Sequence, residues 1–180
     1  MGLAHDFQTI LEGARRLAVR SDIHFVFIGD GPRKAQMETF VEKHGLSNVT
    51  FLPYQPYGDL VRSLNACDVA LITMAKGVDG LVVPSKLYGI LAAGKPFILV
   101  GGRENEILEI VRCAGVGRAV GDGDVGGFVE AVLTYRGNPS LLEEEGKRAR
   151  EIFEASYSRR KAVERYGQRI RALASGGSAS

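Results

Sequence analysis

The sequence of 180 residues has little of what metal sites and disulfide frameworks need. Its two cysteines, Cys67 and Cys113, stand in no metal-ligand spacing and read as reduced thiols. Its three histidines, His5, His24 and His44, are scattered, which argues against a multi-histidine metal site. A net charge of +2 is too small to point to nucleic acid. No apolar run approaches the roughly 20 residues that span a bilayer. The start, Met1-Gly2-Leu3-Ala4-His5-Asp6, has no charged region followed by an apolar one, so no signal peptide is expected. Asp6 stands where an N-myristoylation signal wants Ser or Thr.

What is present is ordinary globular composition, 45% hydrophobic and 24% charged. The length suits one domain with a core of its own. Apolar runs alternate with helical stretches. Residues 3–19 carry a helical stripe of Phe7, Ile10, Leu11, Ala14, Leu17 and Ala18. Short strands are predicted at 25–28, 49–52, 69–72, 97–100 and 116–120, with helices at 36–44, 59–66, 85–93 and 104–113 between them. Three helices are expected to follow, at about 125–135, 139–154 and 157–174. Strands that are apolar throughout, such as Phe25-Val26-Phe27-Ile28, predict burial on both faces. The expected fold is α/β: a Rossmann-like, doubly wound parallel sheet of about five to six strands with extra C-terminal helices. Residues 1–174 form the domain in this reading, and 175–180 a flexible tail. Ligands on such a sheet bind outside the carboxyl ends of the strands.

Four stretches stand out for chemistry. Gly29-Asp30-Gly31-Pro32 follows a strand, and its glycines allow close backbone approach to a ligand. It lacks the third glycine of a dinucleotide fingerprint, and a plain tight turn explains it equally well. Pro84-Ser85-Lys86 opens a helix, where backbone N–H groups and the helix dipole favour an anion. Lys86 in that first turn opposes the dipole unless an anion lies near; the alternative is a simple cap with a solvated lysine. Arg103-Glu104-Asn105-Glu106 reads as a charged first turn. The last helix has an apolar stripe (Ala162, Val163, Tyr166, Ile170, Leu173) and six basic residues against one acidic between Ser156 and Ala174. That pattern suits an anionic membrane surface or, more commonly, the solvated face of a packing helix.

Taken in order, these marks resemble the donor-binding, C-terminal half of a GT-B glycosyltransferase of the group 1 family. The resemblance rests on Phe27-Ile28-Gly29-Asp30-Gly31-Pro32, Asn48-Val49-Thr50-Phe51-Leu52, Ala66-Cys67-Asp68-Val69 and Pro84-Ser85-Lys86-Leu87-Tyr88 followed by Ala92-Ala93-Gly94-Lys95-Pro96. The last is similar to enzymes that build bacterial surface polysaccharides: colanic acid, capsule and O-antigen. The resemblance implies retaining, metal-independent sugar transfer from a nucleotide diphosphate donor of UDP or GDP type, with no cofactor. It implies that Lys86 acts in catalysis by neutralising the leaving diphosphate. It implies donor contacts from Gly29, Gly31, Pro53, Tyr54, Gln55, Val83, Ser85, Leu87 and Gly89. Partners would be the donor and a glycan or lipid-linked acceptor, in the cytoplasm or at the inner membrane face. The family's two spaced glutamates fall on Leu81 and Gly89, neither of them acidic; Asp79 is a substitute for the first if the loop is shifted. An acceptor-binding N-terminal half, and the strand ahead of Gly2, are not in this sequence, so the chain is expected to be inactive by itself. A nucleotide-sugar 2-epimerase or a non-catalytic nucleotide-binding domain are the alternatives. A nicotinamide oxidoreductase has the wrong glycine spacing.

Overall fold

The structure, a computed structural model, describes residues 7–74, 86–101 and 106–176. Among the described residues, five strands form two parallel ladders. β1 (Phe25–Ile28) pairs with β2 (Val49–Leu52), Phe25 opposite Val49. β3 (Ala70–Thr73), β4 (Phe97–Val100) and β5 (Arg118–Val120) pair in that order. The helices between them are α1 (Gln8–Arg16), α2 (Lys34–His44), α3 (Leu60–Asn65), α4 (Lys86–Ala92) and α5 (Glu106–Ala114). Then come α6 (Val125–Gly137), α7 (Pro139–Ile152), a π-helical turn (Phe153–Tyr157) and α8 (Arg159–Gly176).

The helix boundaries have local causes. Asp124 caps α6 by accepting from the Gly127 N–H at 2.8 Å. Asn138 caps α7 by accepting from the Leu141 N–H at 3.3 Å, with Pro139 preset for the first helical position.

α1 fixes how the ladders lie. Its first turn is at the carboxyl end of β1, where the Phe7 and Phe27 rings meet edge to face at 6.0 Å. There Thr9 Oγ1 also accepts from the Gly123 N–H, just beyond β5, at 2.9 Å. Near its other end, the Ala14 carbonyl accepts from Asn48 Nδ2, just before β2, at 2.9 Å. α1 therefore runs antiparallel to β1, and the carboxyl ends of both ladders lie at one end of the molecule.

Two apolar clusters follow. On one face α1, α2 and α6 cover Phe25, Phe27, Val49, Ile98, Val100 and Val120. Gly13 lets α1 and α6 approach: a Cβ there would run into the Phe128 ring. On the other face α4, α5 and Ala149 of α7 cover Ala70, Ile72, Phe97 and Leu99. β4 is thus buried on both faces, as its apolar sequence predicts.

The sheet differs from the expected single one. Among the described residues β1 is not hydrogen-bonded to β3, and the strands divide two and three. Consequently β1 is buried on alternate residues only: Val26 is 51% exposed and Ile28 40%. Leu52 of β2 is 38% exposed. A strand sheds exposure through its lateral neighbours, and β1 has one neighbour among the described residues. α1 is shorter than predicted, and the π-helical turn divides the last two helices. The apolar stripe of α8 (Val163, Tyr166, Ile170, Leu173) faces solvent.

A buried carboxylate ties the far layer together. Glu145 of α7 accepts from the Gly117 N–H at 2.8 Å and the Tyr135 hydroxyl at 2.6 Å. Arg118 lies 3.6 Å from its other oxygen. Burial, and then the bond to Glu145, push the Tyr135 hydroxyl pKa well above its ordinary value.

Candidate functional site

The carboxyl end of the first ladder is built from two short loops. β1 runs into Gly29, Asp30 and Gly31, with φ of +110° at Gly29 and +151° at Gly31. Side chains are rarely tolerated at such values, so the turn requires glycine and leaves its backbone open. Asp30 Oδ1 accepts from the Gly31 N–H at 2.8 Å and holds the turn. The Gly29 N–H donates to the Leu52 carbonyl at 3.1 Å and ties this turn to the end of β2.

Beyond β2, Gln55 Nε2 donates to the Pro53 carbonyl at 2.9 Å and folds that loop. Tyr54 projects from it, 80% exposed. A Cβ on Gly29 would lie 3.9 Å from the Tyr54 ring, so the ring borders the glycine turn. Gly29, Pro53, Tyr54 and Gln55, expected as one site, are thus neighbours, and Gly31 continues the same turn. The arrangement offers a glycine turn that a ligand can approach closely beside an exposed aromatic face.

The second loop group follows β3. Lys86 is the first residue of α4, its side chain exposed and without an ion-pair partner among the described residues. Leu87 is buried with Ile90 and Leu91, so its side chain anchors α4 and is not available to a ligand. Gly89 lies against α3, where an added Cβ would sit 3.2 Å from Leu64 Cδ1. A side chain there would need the Leu64 methyl to shift by a few tenths of an ångström. The sequence alone did not single out Leu64; a glycine inside a helix is the signal of such an approach. Val83 and Ser85, together with Asp79, Leu81 and Arg103, lie outside the described residues.

No group of three or more His, Cys, Asp or Glu among the described residues has the arrangement to hold a metal ion. No helix among them is long and apolar enough to cross a membrane.

The family model for glycosyl transferases group 1 matches residues 4–152. The chain belongs to that family. This group 1 chain is 35% identical over 121 residues to WbjE of Pseudomonas aeruginosa, named as a glycosyltransferase; the match covers 65% of the chain and 29% of WbjE. It is 32% identical over 107 residues to WcaI of Escherichia coli K12, assigned to colanic acid biosynthesis as a glycosyl transferase, over 59% of the chain and 26% of WcaI. The matches to these curated relatives thus span less than a third of their length. Among solved structures it is similar to HepE of Anabaena in complex with UDP-glucose. The TM-score is 0.75 at 16% identity, over 96% of the chain and 46% of HepE. That likeness is one of fold, and the fold is the Rossmann-like one of GT-B glycosyltransferases.

Proposed function

We propose that this chain holds the nucleotide diphosphate sugar in a glycosyltransferase that builds bacterial surface polysaccharide. The observation that carries the reading is the Gly29-Asp30-Gly31 turn bordered by the Tyr54 ring at the carboxyl end of parallel strands. A glycine turn lets a diphosphate approach the backbone closely, and an exposed ring suits a nucleobase face. Family membership, the assignments of WbjE and WcaI, and the UDP-glucose bound to HepE support the same reading.

In this reading Pro53, Tyr54 and Gln55 face the base, while Gly29 and Gly31 line the cleft. Val83, Ser85 and the backbone at Leu87 and Gly89 approach the diphosphate. Lys86 meets the negative charge that grows on the departing diphosphate, a role otherwise given to a metal ion. Transfer retains the anomeric configuration. The acceptor, a glycan or a lipid-linked sugar at the inner face of the cytoplasmic membrane, is held by a part of the protein outside this chain, so the chain alone binds donor without turnover.

Titration with UDP, GDP and ADP, followed by NMR, tests the reading. One of them is expected to bind saturably and to shift signals at residues 29–31, 53–55 and 86–89. Binding that leaves those signals unmoved, or no binding of any of the three at millimolar ligand, would overturn it.

A further inference from the structure

A helix of seven residues, α4, carries the lysine that the donor reading sets at the diphosphate. A helix so short does not keep its own direction, so its neighbours must set it. The core settles one face: Leu87, Ile90 and Leu91 are buried in the cluster around β3 and β4. Apolar burial is non-directional. It fixes how deep α4 sits and leaves the aim of its first turn to what lies alongside.

What lies alongside is α7 with its π-helical turn. Gly146, Arg150, Phe153 and Tyr157 recur at steps of four, three and four residues, which is one face of a helix. That face runs antiparallel to α4. Gly146 sits against the end of α4, where an added Cβ would run into the Gly94 carbonyl. Arg150 Nη1 donates to the Ala92 carbonyl, and its guanidinium lies 5.7 Å from the Phe153 ring centroid. At the far end Tyr157 closes the π-helical turn, and its ring meets the Tyr88 ring with centroids 5.2 Å apart. Such turns are rare and recur at functional sites. Helical side chains lean toward the helix start, so the Tyr88 ring covers the opening turn of α4, where Lys86 stands. Both tyrosines are only partly buried, so they add less to the core than Leu87, Leu91 and Phe97, which are buried completely.

We propose that Tyr157 is a positioning residue for donor binding. Set against Tyr88, it aims the first turn of α4 and holds Lys86 at the diphosphate. The inference rests on the donor-binding reading of Lys86. α7 then acts as a splint: Gly146 and Arg150 fix the end of α4, and Tyr157 fixes its start. Aromatic rings attract one another in a limited set of geometries, so the contact carries direction as well as adhesion. Phenylalanine at 157 keeps that direction. Leucine keeps much of the bulk and loses it.

Titration of the 180-residue chain with UDP, GDP and ADP, each beside its nucleoside, tests it by NMR in the wild type, Tyr157→Leu and Tyr157→Phe. The nucleoside lacks the diphosphate and reports the base side of the site alone. Tyr157→Leu is expected to weaken the bound diphosphate about tenfold, the worth of one charged contact, and to leave its nucleoside unchanged. Without ligand, its amide signals should move at residues 86–89 and stay in place at 146–150. Tyr157→Phe should restore both affinity and signals. Tyr88→Leu removes the same contact from the other ring and should repeat the Tyr157→Leu pattern, which keeps the test open if one variant does not fold. Three outcomes overturn the proposal. Wild-type affinity in the leucine variants would leave the contact without effect. Equal loss of diphosphate and nucleoside would make the ring part of the core alone. A Tyr157→Phe variant as weak as Tyr157→Leu would rule out the ring contact as the cause. Failure of the wild type to bind any of the three diphosphates is a separate result: it removes the donor reading, and the role of Tyr157 with it.

Discussion

Lys86 and Glu145 show what a single charged residue does in two settings. Lys86 stands in solvent at the start of α4, where the helix dipole opposes it, and no carboxylate offsets that charge among the described residues. If it meets the departing diphosphate, Lys86→Ala in the full-length enzyme raises the barrier by about 2–4 kcal/mol while donor binding weakens less. Steady-state kinetics with a saturating donor measure this, and an unchanged kcat would remove the role. Glu145 is buried, and its work is structural. Glu145→Ala leaves the Gly117 N–H and the Tyr135 hydroxyl without an acceptor, and urea unfolding should show a loss of about 2–4 kcal/mol. Its partner gives a pH signature. An unfolded tyrosine ionises near pH 10, whereas buried Tyr135 holds its proton to higher pH. The contribution is fully present below about pH 10 and is lost as pH rises beyond it. Tyr135→Phe should flatten that alkaline fall. Neither Glu145 nor Tyr135 stands out in the sequence, because a helical glutamate reads as solvated until a tertiary contact buries it.

At the scale of the element, helix starts were more legible than strand environments. Asn138-Pro139 and the Asp124 cap announce α7 and α6 through local chemistry. Asp124→Ala should lower stability by about 1 kcal/mol, read as a shift in urea midpoint, since one first-turn N–H loses its acceptor. Phe97-Ile98-Leu99-Val100 and Phe25-Val26-Phe27-Ile28 look alike as sequence, yet β4 is buried throughout and β1 only on alternate residues. The apolar pattern states what a strand requires; its neighbours decide whether the requirement is met. The same limit applies to α8, whose stripe is plain in the sequence while its exposure is not. The site divides in the same way. The Gly29 turn follows from glycines directly after a strand. The placement of the Tyr54 ring against it, and of Gly89 against Leu64, depends on contacts between segments far apart in the chain.

For the molecule as a whole, alternating strands and helices and parallel pairing were readable from the order of apolar runs. The division of the sheet was not, because the sequence between β2 and β3 carries no mark of which edge β3 will seek. What joins the two ladders is α1 together with a late helix, α6. Phe128 of α6 meets Phe25 with ring centroids 6.0 Å apart and lies against Gly13 of α1. Those partners are separated by more than half of the chain, which has a consequence during synthesis. At about 5–20 residues per second, α1 and β1 emerge from the ribosome roughly 6–20 s before the ring that closes over them. Until then Gly13 and Phe25 lack the ring that covers them, although Ile98 and Val100 of the same cluster arrive earlier. That cluster can therefore be completed only once residue 128 has been made.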